Sequence, residues 1–506
     1  MKYSILFKNE YELNKNMPDF FVNINADQVV NAILRNDEDK SNKSIFYTPL
    51  KSVEDIKYRQ DIFKDLDNRE IYVEFNSAIS RLKKIYEAYK ANIYESNTSW
   101  AGKRTELKQI DAYIKTINNF RDFLKSSNDI KSEGLKNLCK YLVEFTDRSE
   151  YKELEKNLDT VKRVVSGMRY TLVFNGCDIY VSEYKDDKDF TPYIADVLKG
   201  FDWDSQREYN YIVNEMVSSR LIDHNVLNCL SKIYKDEFKA LEAFCHLYKE
   251  FYDEDLYRIV LEAKFYTAVH FFNEKIESSG LSFCYPEFTD KFDEESIDSF
   301  DLALAYRLIS RGDKIVTNSY SLKENERAII LSGPNQGGKT TFARQLGELH
   351  YFALLGMKVP GSYAKLHLID SLFTIFKTEE AMETLNGKLQ SELVMVHDII
   401  NKTTKDSLLI FNEIFASTTS LDGYELTKKL IESVEKIGCM CIFITFIDEL
   451  STISDITVAM RSNVLKDNPM VRTYKITKEE SNGKAYANAI SSKYHLAYDE
   501  IRGRIK

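Results

Sequence analysis

The residues that could do chemistry are concentrated in residues 328–344, which read AIILSGPNQGGKTTFAR. Within this stretch Gly333, Gly338, Lys339 and Thr340 fit the pattern G-x-x-x-x-G-K-T. Glycines let successive backbone N–H groups curl around phosphate oxygens. The lysine of the pattern reaches the outer phosphates, and the hydroxyl after it ligates Mg²⁺.

The sequence on either side of the loop agrees with this interpretation. The apolar run at residues 328–331 predicts a short buried strand, and a helix-compatible run follows from Lys339. A helix N-terminus behind the loop would add N–H donors and a partial positive charge. The alternative, a glycine-rich turn that matches by chance, does not require a strand before it and a helix after it. The sequence therefore predicts a nucleoside triphosphate site with Mg²⁺.

A second strand end carries candidate catalytic side chains. The run SLLIFNEIF (residues 407–415) predicts a buried strand that ends in Asn412 and Glu413. In P-loop ATPases the first acidic residue of such a strand end holds the magnesium shell, and the next can polarise the attacking water. Asn412 can bond a metal-bound water but brings no charge. Glu413 is the candidate general base, and the alternative is a solvent-facing glutamate.

A third apolar run, CMCIFITF, ends in Phe446. The carboxyl ends of strands in an α/β sheet line the ligand crevice, so we expect Phe446 to face the same crevice. Cys439 and Cys441 lie two apart, on one face of this predicted strand. Because the seven cysteines are scattered and no second such pair exists, we expect reduced core residues rather than zinc ligands. Between the second and third strands, a turn-rich loop predicts a helix that opens at about Tyr424.

The bulk composition predicts a folded cytoplasmic protein of two to four domains. A chain of 506 residues exceeds one ordinary core, and 43% apolar content argues against disorder. The N-terminus has no signal-peptide pattern, and no run approaches about 18 apolar residues, so secretion and membrane insertion are disfavoured. The first 300 residues carry a net charge of −11 and the remaining residues one of +1, which does not favour a large nucleic-acid footprint in the N-terminal part.

The N-terminal part of the sequence reads mainly as helix. The chain has only 7 prolines, which suits long helices. Ser52 and Asp55 predict a capping box. Helical patterns cover residues 70–165, where they are strongest over 105–125 and 133–165, and they return over residues 206–279. Between them, residues 170–184 hold two β-rich runs around Asn175-Gly176, which predicts a hairpin. Paired long helices usually bridge distant parts of a molecule, and an ordinary helical bundle is the alternative. Beyond Asp301 the strand–loop–helix order predicts an α/β sheet.

These motifs resemble those of the MutS mismatch-repair ATPase family. GPNQGGKTT (residues 333–341) resembles the phosphate loop GPNMGGKST. NEIFASTTSLDG (residues 412–423) aligns without a gap with DEIGRGTSTYDG, and TFIDEL (residues 445–450) lies where the family has THYFEL. YTPLKSVEDIKYRQDIF (residues 47–63) resembles the start of the helical core and lever domain. The resemblance covers most of the chain and is strong from about residue 300 to 495.

The resemblance implies an α + α/β fold of two domains. Residues 1–300 would form a mostly helical core and lever domain with a small β insert, including a possible reduced clamp near residues 168–200. Residues 301–506 would form a P-loop ATPase domain of the ABC-like class. A homodimer formed through the ATPase domains, without a membrane, is implied as well.

Transfer of the family's site, residue by residue, gives a role to several positions. Glu413 would activate water, Thr340 and Asn412 would hold Mg²⁺, and Ile315 and Val316 would pack against the adenine of ATP. The implied nucleotide-binding residues of the loop are Gly333, Pro334, Asn335, Gln336, Gly337, Gly338, Lys339, Thr340 and Thr341.

Several positions depart from the family pattern. Asn412 replaces the aspartate of the second strand end, Phe446 replaces the switch histidine, and the signature serine would fall near Gly387. No N-terminal mismatch-reading domain and no helix-turn-helix extension after the ATPase are expected. Similar NEIF and TFIDEL variants are typical of the short MutS-like branch without mismatch-recognition domains, and the chain resembles that branch.

These features lead to alternative functions. The first is a slow, DNA-dependent ATPase that acts on mismatched or branched DNA in repair or recombination. The second is an ATP-gated clamp with little or no hydrolysis, since Asn412 and Phe446 both remove polar function. The third is action on structured RNA or ribosomes. A transporter-type or chromosome-maintenance ATPase would carry a Leu-Ser-Gly-Gly signature before Asn412, and none occurs after Asp370.

Overall fold

The computed structural model describes residues 3–9, 11–35, 42–92, 99–175, 178–185, 217–376, 385–465, 468, 471–479 and 502. Their contacts divide the chain into two compact units. The sheet unit comprises Met1–Asn68, Lys131–Gly134 and Glu262–Lys506, and the helical unit comprises Arg69–Ile130 and Leu135–Leu261.

Helices and strands are both abundant, as the predicted α + α/β fold requires. The α-helices are α1 (Ala26–Ile33), α2 (Lys43–Phe46), α3 (Val53–Leu66), α4 (Arg69–Asn92), α5 (Trp100–Ser126), α6 (Glu133–Asp147), α7 (Ser149–Ser166), α8 (Val217–Ile233), α9 (Lys235–Leu247), α10 (Glu254–Glu277), α11 (Leu302–Ile309), α12 (Lys339–Leu354), α13 (Leu385–Lys402) and α14 (Ser420–Ile437). The strands are β1 (Tyr170–Asn175), β2 (Asp178–Glu183), β3 (Phe283–Cys284), β4 (Glu287–Thr289), β5 (Glu294–Ser299), β6 (Asn318–Leu322), β7 (Ala328–Ser332), β8 (Val359–Pro360), β9 (Tyr363–His367), β10 (Ser371–Phe376), β11 (Ser407–Asn412), β12 (Met440–Ile444), β13 (Thr457–Val464) and β14 (Arg472–Lys478).

The helical unit is held together by apolar faces with helical spacing. On α4 the buried residues recur every three or four positions, which places them on one side of the helix. These residues are Ile71, Phe75, Ala78, Ile79 and Leu82. The Tyr252 hydroxyl donates a hydrogen bond to the Leu82 carbonyl at 3.0 Å, so a buried polar group is paired as well. Residues 206–216 of the predicted helical pattern lie outside the described residues.

The hairpin predicted at residues 170–184 is confirmed. β1 and β2 pair antiparallel, with Tyr170 opposite Glu183 and Asn175 opposite Asp178. Gly176 and Cys177, at the predicted turn, lie outside the described residues. The same is true of residues 186–200, the remainder of the predicted reduced clamp.

The sheet unit is built on a six-stranded sheet with the order β10-β11-β12-β7-β13-β14. Neighbouring strands from β10 to β13 are parallel, and β14 is an antiparallel edge strand. Every residue of β7 and β12 is buried, as expected for central parallel strands covered on both faces. Cys439 and Cys441 are buried free thiols in this core, and burial raises the pKa of both.

Helix α12 joins this sheet to the N-terminal residues. A Cβ atom at Gly347 would lie 2.7 Å from Ile24 Cγ2 and 3.0 Å from Ile410 Cδ1, so the helix is packed tightly between them. The Tyr351 hydroxyl donates to the Phe46 carbonyl at 2.8 Å. Contacts of this kind group residues 1–68 with the C-terminal part of the chain. The domains 1–300 and 301–506 that the resemblance implies have a different boundary, and they remain a prediction.

Of the two predicted helix starts, the structure confirms the one at Ser52 and corrects the one at about Tyr424. The N-cap part of the predicted capping box is confirmed, because Ser52 Oγ accepts the Asp55 N–H at 3.1 Å. The Asp55 carboxylate accepts the Ser52 hydroxyl at 2.6 Å. The helix predicted to open at about Tyr424 begins earlier, at Ser420, because Thr419 caps it by accepting the Asp422 N–H at 3.2 Å. The helical pattern at residues 133–165 is two helices, since Arg148 between them is not helical. Among the described residues, no helix is both long enough and apolar enough to cross a membrane.

Candidate functional site

The glycine-rich loop (residues 333–338) connects the end of β7 to the start of α12. Gly333 has a φ of 122°, Gln336 of 58° and Gly338 of 92°, all in the left-handed region. Gly338 is also the N-cap residue of α12, so the loop runs directly into the helix N-terminus. The strand–loop–helix order predicted from the sequence is therefore confirmed, and the loop has the curled backbone that exposes successive N–H groups.

Strand β13 packs so closely against the loop that two positions accept only glycine. A Cβ atom at Gly337 would lie 2.1 Å from Ser462 Oγ and 2.9 Å from the Pro334 carbonyl oxygen. A Cβ atom at Gly333 would lie 2.9 Å from the Ser462 carbonyl oxygen. The Ser462 hydroxyl donates to the Gly337 carbonyl at 2.6 Å. Ser462 therefore fixes the loop, a role that the sequence analysis missed.

The Lys339 side chain is folded back onto the loop. Its Nζ donates to the carbonyl oxygens of Gly333 at 2.9 Å and Pro334 at 3.0 Å. It also lies 4.7 Å from the ring centroid of Phe446. Lys339 is only 5% exposed. Burial lowers the pKa of its ammonium group, whereas the negative charge of Glu413 acts in the opposite direction.

The end of β11 brings Asn412 and Glu413 to the same edge of the sheet. Asn412 Oδ1 is buried and has no hydrogen-bond partner among the described residues. Glu413 has a φ of 56°, a left-handed conformation uncommon for a residue with a side chain. Its backbone N–H donates to the Ile444 carbonyl at 3.0 Å. The turn after β11 is thus tied to β12, which is the strand that leads to Phe446.

A cavity of about 1090 Å³ lies at this edge of the sheet. Most of the predicted site residues line it, although they come from separate parts of the chain. They are Ile315, Val316, Asn335, Gln336, Gly337, Gly338, Lys339, Thr340, Thr341 and Glu413. Phe446 lines the cavity too. Gly333, Pro334 and Asn412 are not part of the lining, but the first two hold Lys339 and the third precedes Glu413.

Part of the cavity wall was not predicted. Asp301 lines it, together with Leu304 and Leu308 of α11. Asp301 is the N-cap residue of that helix and accepts the Leu304 N–H at 2.7 Å. Burial raises the pKa of Asp301. Burial, together with the negative charge of Asp301, also raises the pKa of the neighbouring Glu348 well above its usual value. An N-cap pattern in the sequence could have located this helix start, but not its position beside the loop.

The edge strand β14 supplies a further missed residue, Tyr474, which lines the cavity and has a φ of 57°. Asn318 holds the backbone around it, because its Nδ2 donates to the Tyr474 carbonyl at 3.1 Å and its Oδ1 accepts the Ile476 N–H at 2.8 Å. Arg472 on the same strand donates from Nε to the Asn335 carbonyl of the loop at 3.1 Å. No local motif marks β14, since its position depends on pairing with β13.

Comparisons with known proteins agree with this architecture. A family model described as MutS domain V matches residues 329–496, and one described as MutS2 N-terminal domain matches residues 51–175. A DNA mismatch repair protein MutS from Rickettsia bellii (strain OSU 85-389) is 25% identical over 242 residues, which are 46% of this chain and 27% of that protein. The proteins of the same name from Rickettsia rickettsii (strain Sheila Smith) and Rickettsia felis (strain ATCC VR-1525 / URRWXCal2) are each 28% identical over 178 residues, covering 35% of this chain and 20% of theirs.

Two observations define the class of protein: the sheet carries a glycine-rich phosphate-loop motif at a strand end, and two family models match the chain. The chain belongs to the MutS-like family. The matched part spans only about a quarter, or less, of the length of these curated relatives.

The close packing of the loop makes a prediction about Gly337. Gly337→Ala should weaken Mg·ATP binding at least tenfold, because the added Cβ must displace either Ser462 or the backbone of the loop. Equilibrium binding of Mg·ATP measures the effect. Gly167→Ala is the matched control, since the nearest atom to its Cβ is a backbone oxygen at 3.3 Å. Wild-type affinity in Gly337→Ala would contradict the assignment of this loop to phosphate binding.

Proposed function

We propose that the chain is a MutS-like ATP-binding protein and a slow ATPase that acts on DNA. The observation that carries the proposal is the cavity that gathers the glycine-rich loop, Glu413 and Phe446 from three neighbouring strand ends. The sheet unit would then be a P-loop ATPase domain of the ABC-like class, as the resemblance implies. MutS domain V, the family model that matches residues 329–496, supports this proposal.

The loop end of the cavity fits the phosphates of a nucleotide. Curled backbone N–H groups and the N-terminus of α12 both favour an anion. Lys339 supplies a positive charge that is largely removed from water, where electrostatic attraction is stronger. Asn335, Gly337, Gly338, Thr340 and Thr341 would contact phosphate oxygens.

Two residues would hold a magnesium ion at the edge of the sheet. Thr340 lines the cavity and offers a hydroxyl at the start of α12. Asn412 is not part of the lining, but it precedes Glu413 and offers a buried carbonyl oxygen without a partner among the described residues. A buried polar atom without a hydrogen bond is costly, so a ligand shell that uses Asn412 Oδ1 explains why it is tolerated. Magnesium would neutralise phosphate charge there. Since both ligands are neutral, the positive charge would be balanced mainly by the nucleotide and Glu413.

The apolar part of the cavity lining fits the nucleoside. Ile315 and Val316 line the cavity together with Leu304 and Leu308, which gives an apolar surface for a flat base. Apolar lining with a few placed polar groups is typical of cofactor sites. Tyr474 would add a ring beside the loop, since its Cδ1 would lie 3.7 Å from a Cβ atom at Gly338.

Glu413 would act as the general base that polarises the attacking water. It is the residue of its strand end that lines the cavity and carries a carboxylate. Its left-handed backbone, which costs on the order of 1–3 kcal/mol, is the kind of strain that clusters at functional sites. Turnover would be slow, because Asn412 and Phe446 replace two polar groups of the family pattern.

Two separate observations support the proposed partners. The names of the relatives support DNA, and one surface supports a homodimer. The curated relatives are named DNA mismatch repair proteins. On α13, three consecutive apolar residues, Leu393, Val394 and Met395, are 38%, 55% and 52% exposed. Consecutive residues of a helix point in different directions, so these side chains expose apolar surface around α13, and we propose that α13 contributes to a dimer of ATPase domains.

A second function is favoured by Asn412 itself. Because the amide carries no charge, the site could bind ATP and close a clamp on nucleic acid with little or no hydrolysis. In this second function the clamp would act on structured RNA or ribosomes instead of DNA. The two experiments below separate these functions from the proposed one.

Removing the candidate base tests hydrolysis. Glu413→Gln should lower the steady-state ATP hydrolysis rate on the order of 10²-fold, because general base catalysis contributes that much, while Mg·ATP binding is retained. Glu425→Gln is the matched control, since Glu425 lies exposed on α14. Equal rates in wild type and Glu413→Gln would exclude the catalytic role and favour the clamp.

Nucleic-acid preference tests the partner. In the presence of Mg·ATP, branched or mismatched DNA should bind more tightly than structured RNA of the same length. The affinity should fall as salt rises, because contacts to phosphates release counterions. Titrations at two salt concentrations measure both effects. An affinity that is independent of salt, or tighter binding of RNA, would contradict action on DNA.

A further inference from the structure

The Lys339 ammonium lies close to three groups that attract its charge. Two of them are carbonyl oxygens of the loop, which accept hydrogen bonds from Nζ at 2.9 and 3.0 Å. The third is the Phe446 ring, whose centroid lies 4.7 Å from Nζ. A cation within about 6 Å of a ring centroid is attracted by the electron density of the ring face. The ring is therefore a third acceptor for the same charge.

The position of Phe446 is fixed by backbone hydrogen bonds. The Thr445 N–H donates to the Leu331 carbonyl of β7 at 3.1 Å, and the Ile447 N–H donates to Thr445 Oγ1 at 3.1 Å. The residues on both sides of Phe446 are thus tied, the first of them to the strand that leads into the glycine-rich loop. Even so, the Phe446 side chain is 54% exposed and is not a core residue. Packing alone does not explain a large exposed ring at this place.

We propose that Phe446 is a positioning residue that holds the Lys339 ammonium against the glycine-rich loop and competes with the phosphates for it. The proposal rests on the proposed function, because it assumes that Lys339 binds nucleoside phosphates. A phosphorylated ligand must draw the ammonium away from the ring, and the lost contact lowers its affinity. A nucleoside without phosphates does not use Lys339 and is not affected.

The competition predicts a gain of affinity when the ring face is removed. Phe446→Leu keeps an apolar side chain but has no ring, so Mg·ATP should bind about two- to fivefold more tightly, the size of an exposed cation–π contact. Adenosine should bind as in wild type. Phe446→Tyr restores a ring face and should return the Mg·ATP affinity to the wild-type value. Phe271→Leu, at a 53% exposed phenylalanine on α10 outside the cavity, is the matched control.

Isothermal titration calorimetry with Mg·ATP and with adenosine measures these differences. A purely structural role for Phe446 predicts that Phe446→Leu changes both ligands equally. Unchanged or weaker Mg·ATP binding in Phe446→Leu would overturn the proposal, and so would an affinity of Phe446→Tyr equal to that of Phe446→Leu.

A second measurement uses no nucleotide and separates this proposal from the proposed function. In a double-mutant cycle of Lys339→Met and Phe446→Leu, the unfolding equilibrium constants should show a coupling of about two- to fivefold. If no coupling is found, the Phe446 ring does not hold the Lys339 ammonium, and the proposal is overturned whatever ligand the protein binds. If the coupling is present but the wild type does not bind Mg·ATP, the proposed function fails, and with it the competition.

Discussion

The close approach between the glycine-rich loop and Ser462 is the constraint on which the site depends. Since there is no space for a Cβ atom at Gly333 or Gly337, the loop backbone can lie against β13. The Ser462 hydroxyl holds it there through the Gly337 carbonyl. With the loop in this place, its carbonyl oxygens accept Lys339, and α12 begins directly behind it. The loop geometry that would hold an anion is therefore fixed by contacts within the protein, which lowers the cost of ordering on binding.

Helix α12 carries this constraint into the rest of the sheet unit. Almost every residue of the helix is buried, and Gly347 lies between Ile24 and Ile410 at distances that leave no room for a larger side chain. The N-terminal residues of the chain thus pack on the helix that follows the loop. A change of loop conformation on nucleotide binding would have to be accommodated by this packed layer, because tightly packed interiors transmit strain.

The local parts of this architecture could be predicted from the sequence. Buried strands at β7, β11 and β12, the loop, the capping box at Ser52 and the hairpin all have short-range signals, such as apolar runs and paired turn residues. The start of α14 is predicted about four residues too late, because residues 417–420 all carry a hydroxyl and the sequence does not show which of them caps the helix. Ser462 and Tyr474 could not be found, since their positions depend on contacts between residues more than a hundred positions apart. The position of Asp301 beside the loop depends on the packing of α11 against α12. The grouping of residues 1–68 with the sheet unit has the same long-range origin.

Asn412 and Phe446 depart from the family pattern at the same edge of the sheet, and both departures remove polar groups that would serve hydrolysis. Binding of ATP is therefore the central claim, and hydrolysis is a further step that depends on it. Equilibrium binding of Mg·ATP to the wild type and to Lys339→Ala tests this claim most directly, with Lys405→Ala at an exposed position as the control. The wild type and the control should bind alike. Lys339→Ala should bind about ten- to a hundredfold more weakly, as expected for the loss of a hydrogen-bonded charge. No binding by the wild type, or equal binding by Lys339→Ala, would contradict the account.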